Sequence, residues 1–156
     1  MKRNLIPFAI AFVSLSLSSP AEAANSRHLT RLLKTNACAN CDLRQANLRG
    51  LDLSRADLRG ADLRGAQLRS AKLLNANLSQ ANLTRANLSY ALLIQANISG
   101  TRFRFADLSY ATLQEATATQ SADFSGARLE GTILPDGRVA QPRDIEPATL
   151  PFRQDS

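Results

Sequence analysis

The sequence predicts an all-β fold in which the chain coils as a solenoid, and three observations carry that prediction. Every fifth residue from Leu43 to Leu113 is large and apolar, Leu throughout except for Ile98 and Phe103. Two places before each stands a small or apolar side chain: Cys41, Ala46, Leu51, Ala from 56 to 96, Thr101, Ala106 and Ala111. Two places after, bend-forming residues recur at Gly50, Gly60, Gly65, Asn75 and Gly100. Internal repetition of this kind sets the architecture before any local propensity does.

A helix does not accommodate the pattern. At about 100° per residue, steps of five rotate by roughly 500° and scatter the leucines around the whole cylinder. The pair at i−2 and i suits a strand instead, where alternate residues share a face. Five is odd, so an uninterrupted strand would turn the next pair outward, and each repeat must hold a corner that resets direction. The composition agrees: 44% of the 156 residues are hydrophobic but only 5% aromatic, with no Trp, which suits a narrow core of Leu and Ala.

Taken in order, residues 1–23 read as a cleavable signal peptide. Lys2 and Arg3 precede the apolar run Leu5 to Leu17, and Ala21-Glu22-Ala23 is an A-x-A cleavage site. The run falls short of the roughly 20 apolar residues of a spanning helix, so no transmembrane anchor is expected. Removing it takes Lys2, Arg3 and Glu22 and lowers the formal charge from +6 to +5. The destination is the periplasm or extracellular space, or the thylakoid lumen in an organism with internal photosynthetic membranes. Residues 24–40 read as an N-terminal cap segment. In it Leu29, Leu32 and Leu33 have helical i, i+3, i+4 spacing, Ser26 stands as N-cap, and His28 is on the surface.

Residues 41–134 hold the repeats. After Leu113 the register slips by one: Ala122-Asp123-Phe124, Ala127-Arg128-Leu129 and Thr132-Ile133-Leu134 resume it, which predicts one extra residue around Thr117–Ser121. Residues 135–156 begin with the turn signal Pro135-Asp136-Gly137 and read as a C-terminal cap and irregular tail, with Ile145, Leu150 or Phe152 available to cover the last coil.

The runs ADLRGADLRGAQL at 56–68 and ANLSQANLTRANL at 76–88 resemble the A-(D/N)-L-x-x signature of the pentapeptide-repeat family. The resemblance implies a right-handed quadrilateral β-helix with four repeats per coil, so that residues 20 apart stack. Somewhat under five coils at about 4.8 Å spacing would make a rod on the order of 23 Å long. Some members inhibit DNA gyrase by mimicking the negative charge of DNA. This chain is net positive and reads as exported, so no DNA mimicry is expected.

No catalytic set emerges. The outward Ser, Thr and Asp residues have no base beside them, and a nucleophile needs one within reach. The Cys38-x-x-Cys41 pair lacks the two further ligands of a zinc site and the fold of a redox enzyme. Both cysteines fall at inward positions. A disulfide pinning the first coil is the preferred reading for an exported chain, and two buried free thiols remain the alternative. No cofactor or metal is expected.

Given that stacking, Arg44, Arg64 and Arg104 form one column and Arg49 and Arg69 the next, with Tyr90 and Tyr110 stacked beside it. Such columns could hold an acidic partner through bidentate contacts or serve as a solvated surface. Leu74, Leu92 and Ile94 lie together at outward positions and form an apolar patch. It fits a homodimer interface, another protein, or cover by the tail. The function expected is therefore a non-enzymatic binding or scaffold module, with a spacer that binds nothing specific as the alternative and an enzyme disfavoured.

Overall fold

The computed structural model of the chain describes residues 20–117 and 121–141. Most of the expected signal peptide, and Ile145, Leu150 and Phe152 of the tail, lie outside the described residues. One helix, α1 (Pro20–Thr35), precedes the coils. It starts earlier than the sequence suggests and takes in Ala21-Glu22-Ala23. Ser26 is therefore inside the helix rather than at its N-cap, and its carbonyl accepts a hydrogen bond from the Thr30 hydroxyl. The preceding Ala-rich stretch favours this extension, since Ala loses no side-chain entropy in a helix.

From Ala37 onward each middle residue of a repeat bridges in parallel to the residue 20 further on, as in Asp42↔Asp62, Gln67↔Asn87 and Leu92↔Thr112. Twenty residues are four repeats, so each coil has four sides. Ala37↔Asp57 already belongs to this ladder, which moves the start of the wall from residue 41 to 37. The faces are named here by their inward large residues: face 1 by Leu43, Leu63, Leu83, Phe103 and Phe124; face 2 by Leu48 to Leu129; face 3 by Leu53 to Leu134; face 4 by Cys38, Leu58, Leu78 and Ile98.

The backbone accounting explains the regularity. The amide of each large residue donates to the next coil (Leu63 N to Asn82 O, 2.8 Å), and that of the following middle residue to the previous one (Asn82 N to Ala61 O, 2.9 Å). Each corner closes with a bond across three residues, such as Ala66 N to Leu63 O at 3.0 Å. Positive φ falls on the third residue of each turn, from Gln45 (58°) to Glu115 (58°), the pattern of a type II turn. The Asp or Asn in mid-repeat has a local task. Its Oδ1 accepts the amide two residues on, as in Ser79 N to Asn77 at 3.1 Å and Ser99 N to Asn97 at 3.0 Å, which holds the corner shut.

Leu and Ala side chains fill the bore and are almost wholly excluded from water. Each buried Leu contributes on the order of 1.5–3 kcal/mol. Two Ala positions carry Thr instead, and both hydroxyls donate to backbone carbonyls, Thr101 to Leu78 O and Thr132 to Leu108 O, each at 2.8 Å. Where Phe replaces Leu, Phe103 and Phe124 stack with centroids 4.9 Å apart. The register slip is real: Asn97 pairs with Thr117, 20 residues on, but Arg102 pairs with Asp123, 21 on. Beside the extra residue the Gly100 amide donates to the Ser121 hydroxyl at 2.9 Å rather than to a wall carbonyl.

The first coil has no coil beneath it, and α1 supplies what is missing. Leu32 is buried and Leu29 packs on the core, whereas Leu33, expected on the same face, is 57% exposed. His28 is not a surface residue. It is half-buried, and its Nδ1 accepts the Asp42 amide at 3.0 Å, the bond a preceding coil would otherwise provide. Asn36 Nδ2 donates to Ser54 O at 2.8 Å for the same reason. Cys38 and Cys41 are joined by a disulfide beneath α1, with their Cα atoms 5.3 Å apart. At the other end the chain reverses at 135–138 and runs back along face 3: Leu134 N bonds Arg138 O, and Ala140 N bonds Thr132 O, both at 2.8 Å. The segment expected to be irregular thus begins as an antiparallel edge on the last coil.

Candidate interaction surface

The arginine columns are largely occupied from within. Arg44 grips Asp42 in a bidentate pair, Nε to Oδ1 at 2.8 Å and Nη2 to Oδ2 at 2.7 Å. Arg64 holds Asp62 in the same way, and Arg59 holds Asp57. The cause is local: an Asp in mid-repeat and an Arg two residues on share one side of the corner. The Arg44 hydrogen bonds, opposed by partial burial, lower the Asp42 carboxyl from its ordinary 3.8 to about 2. Asp57 and Asp62 are lowered by their own arginines. Asp42 and Asp62 stack on face 1, but each is neutralised by an arginine, and they form no acid–base dyad.

The remaining candidate arginines are engaged too. Arg49 donates to Gln67 Oε1 at 2.8 Å, Arg69 lies 4.8 Å over the Tyr90 ring, and Arg104 stands 3.7 Å from Asp123. An acidic partner on these faces would have to displace an intrachain one. Such exposed pairs contribute little stability each but keep the rod polar.

Face 3 and its edge toward face 2 are different. Tyr90 and Tyr110 stack there with centroids 5.2 Å apart and planes 13° off parallel, and both are nearly half exposed. The Tyr110 hydroxyl donates to Glu130 at 3.2 Å. On face 3 itself Leu92, Thr112 and Ile133 form one outward column, with Leu74 and Ile94 in the next, all partly exposed. Val139, 49% exposed, extends the patch across the antiparallel segment. Above Lys72 these two columns carry no charged side chain. The structure thus brings Leu74, Leu92 and Ile94 together and joins them to the tyrosines, Ile133 and Val139. Ile133 could have been found from the resumed register. Val139 could not, because its place depends on the chain reversal. Phe105, 56% exposed, is a separate aromatic on the corner between faces 1 and 2, within 6.0 Å of the Arg85 and Arg104 guanidiniums.

Among the described residues no three His, Cys, Asp or Glu side chains gather as metal ligands, and no helix is long and apolar enough to cross a membrane. A family model described as pentapeptide repeats, with eight copies, matches overlapping stretches that run from residue 38 to 136. This chain belongs to the pentapeptide-repeat family. Membership implies a right-handed quadrilateral β-helix for the four-sided coil described above. Among solved structures, the chain is similar to a pentapeptide repeat protein from the cyanobacterium Cyanothece 51142. The two share 26% identity over 70% of this chain and 90% of the other, with a TM-score of 0.40. It is also similar to a pentapeptide repeat protein of the Arabidopsis thaliana thylakoid lumen, at 26% identity over 72% and 75%, TM-score 0.44. A third, from Nostoc, shares 28% identity over 66% and 93%, TM-score 0.38. No curated protein matches the sequence.

Proposed function

We propose that this pentapeptide-repeat protein is an exported, non-enzymatic binding module that meets another protein through face 3 and the tyrosine edge beside it. The observation that carries the reading is the contrast between faces. Arginines and carboxylates pair on faces 1 and 4, and on face 2 Arg49 meets Gln67 and Arg69 the Tyr90 ring, while above Lys72 the columns of face 3 show water a run of aliphatic groups beside the tyrosine edge. An apolar patch on a rod whose wall is fixed by backbone bonds offers a preformed contact surface with little ordering cost. Export rests on the pattern of residues 1–23. The non-enzymatic reading rests on the sequence, whose single histidine, His28, is taken up in capping the first coil; Ser125, whose hydroxyl donates to Asp123, uses that bond to close its own corner.

The test replaces Leu74 and Ile94 by Arg together and follows both association and the circular dichroism spectrum. Lost association with an unchanged spectrum supports the contact face. Unchanged behaviour in every association assay favours a spacer that binds nothing specific. Mass spectrometry of the protein recovered from a secreting host tests export: a chain beginning at Ala24 is expected, and one that keeps residues 1–23 overturns that part.

A further inference from the structure

Resting on that reading of face 3, we infer that its occupant is a second copy of this chain, docked with the two solenoid axes antiparallel. The argument is the distribution of charge along the face. Below the level of Leu92, the edges and columns of face 3 carry Arg49, Arg55, Arg69 and Lys72 against the single carboxylate Asp52; above it, as far as Leu134, they carry Glu115 and Glu130. The middle is the uncharged stretch of Leu92, Ile94 and Tyr90. Lys72 lies 20 residues, one coil, before Leu92, and Thr112 lies one coil after it, with Glu115 at the end of the same repeat.

A twofold axis lying in the plane of the face, across the rod at the level of Leu92, turns one copy onto the other. It sets each coil below Leu92 against the partner's coil above it. The operation keeps lateral position, so Arg49, two coils below the axis, faces the partner's Glu130, two coils above it on the same edge, and Lys72 faces the partner's Thr112. The same operation repeats each contact in reverse, as an isologous interface requires. The aliphatic centre meets its own copy on the axis, so apolar area is buried in the core of the contact and charges pair at its rim. A parallel arrangement would instead bring basic edges against basic edges. The contact closes on itself, so it gives a dimer and not a filament. The end of the solenoid under α1 and the end past residue 134 play no part in it.

Light scattering of the purified protein over a concentration series reads the outcome. The expected mass is double the 16.9 kDa of one chain, less any cleaved segment. Ile94→Arg places like charges on the axis and should raise the dimer Kd by about 100-fold or more. Arg49→Glu and Glu130→Arg should each weaken the dimer by about tenfold, and the double variant should restore it to within about threefold, because the swapped charges again oppose one another. Circular dichroism checks that each variant is folded. A monomer at all concentrations overturns self-association while leaving face 3 open to another protein, which the Leu74/Ile94 variant tests separately. A dimer indifferent to Ile94→Arg overturns the assignment to this face, and failure of the double variant to recover overturns the antiparallel arrangement.

Discussion

Leu88→Ala probes the rigidity of the bore. Leu88 is fully buried on face 2, stacked between Leu68 and Leu108 of the neighbouring coils. Truncation removes three carbons, worth about 2.4 kcal/mol at ~0.8 kcal/mol for each. A cavity term follows unless the surroundings close in, and here they cannot. The coils are held apart at a spacing set by backbone bonds, Leu68 N to Asn87 O and Leu88 N to Asp107 O, both 2.7 Å. The loss should therefore lie in the upper part of the usual Leu→Ala range, about 4 kcal/mol. Chemical denaturation followed by circular dichroism measures it, with the denaturant slope compared to confirm that the coils still unfold together. A loss below about 2 kcal/mol, less than the transfer cost alone, would refute the claim that the wall is too stiff to relax.

Other expectations follow from the caps and corners. His28→Ala removes the acceptor for the half-buried Asp42 amide and should lower stability by about 1–2 kcal/mol, read by the same denaturation assay. Gly50 has φ of +64° with open space around it, so Gly50→Ala should cost only the left-handed strain, about 1 kcal/mol. An unchanged midpoint would contradict that. A carboxyl whose folded pKa lies below its unfolded one contributes stability above the unfolded value and loses it as pH falls through the folded one. For Asp42, lowered from 3.8 to about 2, the melting temperature should therefore fall as pH drops from about 4 toward 2. Arg44→Met should flatten that part of the slope in a pH series of thermal melts.

The sequence by itself determined the repeat, the inward residues and the place of the extra residue. Each follows from a period of five and a strand alternation of two, which are local rules. It also brought Leu74, Leu92 and Ile94 to one face once residues 20 apart were stacked. What it did not yield depended on contacts between distant segments. Whether Arg44 was a free hand or already held could be settled only by the geometry of the corner, which turns its guanidinium onto Asp42. His28 looked like a surface residue because nothing in a helix signals that its ring must replace a missing coil. Val139 joined the apolar face only through the reversal after Leu134, a pairing between segments that no periodicity encodes. Period and alternation fix which way a side chain points along the coil. Only the assembled coils, with two ends that no repeat can satisfy, decide which polar groups find partners inside the chain and which surface is left for another molecule.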